Sequence, residues 1–250
     1  MPDVEALARE LDEALLARRE IPSLEKTHGT FALTDAYRVQ ERGIERRLAR
    51  GEKIIGYKMG LTSAAKRAQM SLELPIYGVL TDAMRVSGEL RVGDGVHPKI
   101  EPEIAFVTAR ELRGRISPEE ALAALQGVAP ALEILDSRFA GFKYFSLPDV
   151  VADNCSSWRF VLGPLSPPRD TGSLRMRMSI DGRAAQEADS NAISGNPLES
   201  LVQLVGLLPH PLPAGSIVLA GAATVAEALK AGMQIALEVE ALGSMSVRAT

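Results

Sequence analysis

Two glutamates one residue apart, Glu101 and Glu103, lie in the segment Lys99-Ile100-Glu101-Pro102-Glu103-Ile104. Alternate side chains of a β-strand share a face, so this spacing sets the two carboxylates side by side and sends Ile100 and Ile104 to the opposite face. Adjacent carboxylates repel unless a cation, a shared proton or solvent relieves them. A solvated strand face would satisfy the pattern without any chemistry, and Pro102 between the acids points to an edge or irregular strand. Two more acids, Glu133 and Asp136, lie in the apolar run 131–136 (ALEILD), where a buried carboxylate needs a partner. Three carboxylates drawn from two such strands make an all-oxygen site for a hard divalent cation, Mg²⁺ or Mn²⁺. Glu133 and Asp136 both remain open as the third ligand. Zinc is the weaker expectation, because the chain has one cysteine, Cys155, and three histidines, His28, His97 and His210. Lys58 completes the set of reactive types. Gly56 and Gly60 bracket it, and glycines admit close approach of backbone or ligand, although a surface lysine reads the same way.

The elements that must position these groups are legible in outline. Val4, Leu7, Leu11 and Leu15 recur at helical spacing, and a second helix is expected after Thr34 as N-cap, stopping at Gly51. Residues 53–59 read as a strand, with a short helix from Ala64 to Met70. Residues 99–108 and 131–136 read as strands, separated by a helix that opens on the capping box Ser117-Pro118-Glu119-Glu120 and ends at Gly127. Leu174, Met176, Met178 and Ile180 alternate with polar residues up to a hairpin turn at Asp181-Gly182. A helix capped by Asn196 and strands at 216–220, 233–240 and 244–249 follow. Early helices and later strands predict an α+β chain with a β-rich body.

Composition excludes several classes of function. The 28 basic and 32 acidic residues give 28 − 32 = −4, and 46% of residues are hydrophobic. The apolar content argues against disorder, and the slight acidity argues against a nucleic-acid partner. No apolar run is long enough to suggest a membrane span. The acidic amphipathic start lacks the pattern of a secretory signal, so a cytoplasmic protein is expected.

Several stretches carry a resemblance: Gly56-Tyr57-Lys58-Met59-Gly60-Leu61-Thr62-Ser63, Pro75-Ile76-Tyr77-Gly78, His97-Pro98-Lys99-Ile100-Glu101-Pro102-Glu103-Ile104, Asp136-Ser137-Arg138-Phe139, Val151-Ala152-Asp153-Asn154-Cys155-Ser156-Ser157 and Leu242-Gly243-Ser244-Met245-Ser246. In this order, over nearly the whole chain, the sequence resembles the hydratase/decarboxylase branch of the fumarylacetoacetate hydrolase superfamily. The resemblance implies an α+β fold, a mixed β-sandwich-like roll with an N-terminal helical region near the mouth of the site. It divides the chain into a helical and lid region, 1–75, and a β-rich metal-binding part, 76–250. It implies Mg²⁺ or Mn²⁺ on Glu101, Glu103 and Glu133, favouring Glu133 over Asp136. Lys58 matches the family's active-site lysine and Ser156 a serine that lines the site. The implied activity is a lyase of meta-cleavage aromatic degradation that takes a small 2-oxo acid. It would decarboxylate 4-oxalocrotonate (2-oxo-3-hexenedioate) to 2-hydroxypenta-2,4-dienoate and CO₂, with hydration of 2-oxopent-4-enoate as the alternative. A silent binding subunit is the third reading, and the intact carboxylates and lysine count against it. Arg138 and Lys143 are expected to place the distal carboxylate, and residues 62–70 with the N-terminal helices to cover the site. A homo-oligomer is expected, alone or complexed with the pathway's partner hydratase or decarboxylase. The chain departs from the family pattern at Cys155, Asn196 and Ala220.

Overall fold

Leu7, Leu11 and Ala14 form the buried stripe of α1 (Val4–Ala17) in the computed structural model, which describes residues 2–62, 75–143 and 146–250. Asp3 caps the helix, its carboxylate accepting from Ala6 N at 3.0 Å. Helices α2 (Leu24–His28) and α3 (Leu33–Ala49) follow. The cap expected at Thr34 is not one. The helix starts at Leu33 behind an uncapped Ala32, where burial of Phe31 and Ala36 fixes the start by packing rather than by a side-chain hydrogen bond. Asp12 ties α1 to α3, accepting from Arg46 at 2.9 Å and Arg50 at 2.8 Å. Burial works against its charge, but the two guanidiniums outweigh it and hold the carboxyl below its ordinary value.

From residue 54 the periodicity becomes two. Strands β1 (Ile54–Gly60), β2 (Ile76–Thr81), β3 (Gly88–Leu90) and β4 (Lys99–Thr108) lead to a short helix, α4 (Pro118–Ala123), and to β5 (Leu125–Leu135). Helix α5 (Leu147–Ala152), strands β6 (Ser157–Leu162), β7 (Arg175–Ile180) and β8 (Arg183–Asp189), and helix α6 (Pro197–Leu207) come next. Strands β9 (Ile217–Ala222), β10 (Glu227–Ala228), β11 (Gln234–Val239) and β12 (Gly243–Ala249) complete the chain. The strands form a seven-stranded sheet, β2-β1-β9-β4-β5-β6 with β10 beside β4, and a five-stranded sheet, β3-β12-β11-β7-β8.

The structure differs from the sequence reading at three further places. Helix α4 ends before Gly127, which lies within β5. A Cβ at Gly127 would sit 2.5 Å from the Ser166 carbonyl oxygen, so this glycine marks a close backbone approach and not a helix stop. Of the two expectations for Pro102, the edge strand is not met, because β4 lies between β9 and β5, and the irregular strand is, because the β4–β9 register shifts between Glu103 and Ala105. The Pro102 carbonyl accepts from Ala223 N at 3.2 Å, where β9 has ended and β10 pairs only at Lys99 and Ile100. The missing N–H falls in this break of the ladder. A division at residue 75 cuts the large sheet, since β1 is hydrogen-bonded to β2 and β9; the helical layer is α1–α3. The helix expected over 64–70, and most of the cover expected over 62–70, lie outside the described residues.

The two faces of β4 do different work. Ile100, Ile104 and Phe106 enter the main core, with Leu132 and Ile134 of β5 and Met178, Ile235, Leu237 and Val247 of the smaller sheet. The opposite face carries Lys99, Glu101 and Glu103, then Ala105, which packs with Ala131, Phe160 and Leu219 in a separate apolar cluster. That cluster continues the face of β4 and β5 that carries the carboxylates. The α1–α3 layer packs through Leu7, Leu11 and Val39 onto Val151 of α5, Phe139, Ile76 and Cys155.

Candidate metal centre and active-site cavity

Strands β4 and β5 pair antiparallel with Glu101 directly opposite Glu133, and Glu103 is the next residue on the same face. Their carboxylates offer oxygens that all lie within 4.8 Å of one another. Glu103 and Glu133 are fully buried, and Glu101 is 9% exposed. Glu133 Oε2 accepts from Lys58 Nζ at 3.1 Å, and Glu103 Oε2 accepts from Gly221 N at 2.9 Å. Gly221 presents that N–H at φ +105°, where a Cβ would meet Thr62 Oγ1 at 2.5 Å, so only glycine fits here. The second oxygens of Glu103 and Glu133 have no hydrogen-bond partner among the described residues. Buried unsatisfied oxygens are costly, and a cation among them removes that cost. Oxygens around an octahedral Mg²⁺ at about 2.1 Å stand roughly 3–4 Å apart, so a small contraction of the triad seats one. The donors are all oxygen, which suits a hard divalent cation better than zinc.

The electrostatics point the same way. Burial, followed by the carboxylates of Glu133 and Glu101, pushes the Glu103 carboxyl well above its ordinary value, and Lys58 only partly opposes this. Burial alone would favour a neutral Lys58. Glu133 above all, with Glu101 and Glu103, reverses the sign and holds the ammonium above the usual lysine range. The site thus has two means of relieving three crowded negative charges, a proton on Glu103 and the ammonium of Lys58.

A cavity of about 420 Å³ opens beside the triad, lined by Lys58, Lys99, Glu101, Phe142 and Cys155 among others. Its wall at Cys155 is a left-handed turn, with Asn154, Cys155 and Ser156 at φ 49°, 53° and 58°. Such backbone costs on the order of 1 kcal/mol or more per residue, and specific bonds enforce it. Asn154 Oδ1 accepts from Val79 N at 2.8 Å and Nδ2 donates to Val79 O at 2.9 Å. The Cys155 thiol donates to Tyr77 O at 3.2 Å, and burial pushes it up to about 12, so it remains a neutral wall.

The other expected site residues are placed differently. Asp136 is not a ligand; its carboxylate accepts from Val96 N at 3.0 Å and His97 N at 2.8 Å and shapes the turn before β4. Ser156 is buried within the left-handed turn, its N–H donating to Asp153 O and its carbonyl accepting from Asp136 N, both at 2.9 Å. Lys143 is exposed and does not line the cavity among the described residues. Arg138 does not reach it either. Its guanidinium is buried against the Asp153 carboxylate and donates to Asp153 O at 3.0 Å, on the side facing α1 and α3. Lys99 and Phe142 were missed, though Lys99 had a signal: it precedes Glu101 by two and so shares its face.

Removing one partner of a buried ion pair costs about 3–5 kcal/mol, so Arg138→Met is expected to destabilise the fold by that order at pH 8 in urea unfolding. Burial raises the Asp153 carboxyl, to about 6, against the opposing pull of Arg138. Without Arg138 the folded-state value rises further. The native state of the variant then binds a proton that the unfolded state does not, and the loss shrinks at pH 5.5.

Residues 54–249 match the family model for the fumarylacetoacetate (FAA) hydrolase C-terminal domain. The chain is 45% identical to a 4-oxalocrotonate decarboxylase of Pseudomonas sp., over 99% of this chain and 98% of that one. It is 33% identical to a 2-keto-4-pentenoate hydratase of Paraburkholderia xenovorans, over 96% of this chain and 93% of the hydratase. A solved 4-oxalocrotonate decarboxylase from Pseudomonas putida, complexed with magnesium and adipate, superposes with a TM-score of 0.95 at 37% identity, covering 99% of this chain and 97% of that one. The chain belongs to the fumarylacetoacetate hydrolase family, and its α+β fold with an N-terminal helical layer is the family's. Both groups of relatives carry lyase names, and the chain is a lyase.

Proposed function

We propose that the chain is a Mg²⁺-dependent carboxy-lyase that converts 4-oxalocrotonate to 2-hydroxypenta-2,4-dienoate and CO₂. The observation that carries the reading is the buried Glu101–Glu103–Glu133 triad beside Lys58, in a chain 45% identical along its length to a 4-oxalocrotonate decarboxylase. Glu101, Glu103 and Glu133 are the ligands; Mn²⁺ suits the same oxygens. When bound, the ion supplies a Lewis acid for the 2-oxo acid end of the substrate. The distal carboxylate is vinylogously β to the C2 carbonyl. As its C–C bond breaks, the electron pair moves through the double bond to the C2 oxygen. Lys58 borders the ligand oxygens and brings a fixed positive charge and a proton to the end where that negative charge develops. No helix among the described residues is long and apolar enough to cross a membrane, and a cytoplasmic location accompanies this reading.

The hydratase reading uses the same carboxylates and is supported by the 33% identical hydratase. One assay separates them. With Mg²⁺ present, the six-carbon diacid is expected to release CO₂ and the five-carbon dienol to remain unhydrated. Hydration of the dienol without CO₂ release from the diacid would replace the main reading.

A further inference from the structure

We infer that Lys99, backed by the ring of Phe142, is the group that recognises the distal carboxylate and so sets the preference for a dicarboxylate. This rests on the 2-oxo diacid reading of the site. A dianion anchored at one end by the triad needs a cation at the other. Of the other candidate cations among the described residues, Lys58 is committed to Glu133 at the metal end, Arg138 is held by Asp153, and Lys143 is off the cavity wall.

Lys99 has the right address. It lies on the same face of β4 as Glu101 and two residues towards the open end, about 7 Å along the strand, a distance comparable to the reach of an extended six-carbon chain. It lines the same cavity as Lys58 and Glu101. Among the described residues its ammonium meets no carboxylate; it rests over the Phe142 ring, 4.0 Å from the centroid.

That resting place suits a carboxylate that departs. A carboxylate partner would compete with the substrate. A ring face attracts the ammonium weakly through its quadrupole, so the lysine can turn to an incoming carboxylate and return when CO₂ has left. It is never stranded without a partner, and it does not bind the ground state so tightly that loss of CO₂ is slowed.

The ring is itself held in place. Phe142 sits at φ 54° behind Gly141 at φ 66°. Gly141 N donates to Glu20 Oε1 at 2.8 Å, the same carboxylate lies 3.1 Å from His97 Nδ1, and the His97 ring packs against Phe142 with centroids 5.2 Å apart. Glu20, in the connection after α1, thereby links the helical layer to the far end of the cavity, and Phe142 acts as a positioning residue.

The test titrates Mg²⁺-loaded protein with 2-oxoadipate, a saturated six-carbon diacid, and with 2-oxopentanoate, which keeps the anchoring end and lacks the far carboxylate. Wild type is expected to bind the diacid about tenfold more tightly or better. Lys99→Met is expected to abolish that preference by weakening the diacid alone, with Lys99→Gln as a second neutral variant and Lys99→Arg restoring most of it. A preference that survives both neutral variants overturns the inference, as does a wild type that does not discriminate. CO₂ release from the unsaturated diacid is read separately. If the Lys99-dependent preference holds and no CO₂ appears, the decarboxylase reading fails and the assignment of Lys99 stands.

Discussion

Glu103→Gln is expected to lower kcat/KM with the six-carbon diacid by roughly 10³-fold or more while leaving the metal-free protein as stable as wild type, or more so. The two effects have opposite signs because the carboxylate does opposite things in the two states. Glu103 is fully buried, with one oxygen on Gly221 N at 2.9 Å and the other unsatisfied. As a ligand it supports an ion whose charge stabilisation is worth several kcal/mol in the transition state, and each factor of ten is about 1.4 kcal/mol. Without the ion, burial and the carboxylates of Glu133 and Glu101 drive it towards the protonated form, at a cost to the folded state as pH rises. Glutamine keeps the shape and the acceptor for Gly221 N and removes the repulsion. Metal-dependent rate assays and melting in EDTA measure the two halves, and a fall in both would show Glu103 to be a structural acid. The pH dependence follows from the raised Glu103 carboxyl. In the metal-free protein the folded state holds a proton that the unfolded chain has already released. Stability from this site is therefore highest at acid pH and is lost as pH rises from the ordinary glutamate value through the raised one. Mg²⁺ must displace that proton, so its affinity should climb over the same window, with proton uptake by the buffer visible in calorimetry. Wild type in EDTA should lose stability across this window, and Glu103→Gln should not.

How far this site could be read in the chain depended on the range of the interaction. The E-x-E spacing is local, and alternation along β4 made Glu101 and Glu103 neighbours without any knowledge of the fold. Pairing Glu133 with Glu101 needs the register between strands about thirty residues apart, which periodicity does not supply; the family resemblance favoured it over Asp136. Asp136 has the same composition signal as Glu133. Only the structure shows its carboxylate spent on the N–H groups of Val96 and His97. Arg138 was misread for a related reason. Its charge and its position after the ligand strand were visible, but its partner Asp153 arrives through the turn after α5. The Gly127 and Thr34 readings failed where packing overrode a local stop or cap preference: a close strand approach at Gly127, and burial of Phe31 and Ala36 at the start of α3.

Lys58 presents the second large effect, and its two roles can be measured apart. Its ammonium is buried, 3.1 Å from Glu133 Oε2, and stays protonated because Glu133 and its neighbours outweigh the desolvation that would strip it. Lys58→Met keeps the length of the stem and deletes the charge. In EDTA this leaves Glu133 without its cation, and losing one partner of a buried pair costs about 3–5 kcal/mol, so the melting temperature should fall sharply. With Mg²⁺ the triad has another counter-charge, and much of that loss should be recovered. Catalysis should not recover with it. If Lys58 supplies a proton and a fixed charge where the substrate oxygen becomes negative, saturating Mg²⁺ restores the fold and leaves kcat about 10²–10⁴-fold down, with KM for the diacid little changed because the lysine acts on charge that is absent from the ground state. A variant whose kcat returns with its stability would make Lys58 only a counter-ion for Glu133. A kcat that stays low in a protein with native melting in Mg²⁺ fits the chemical role, and Lys58→Arg tests it further: the guanidinium preserves the charge but cannot give up its proton, so it should rescue the EDTA stability more fully than the rate.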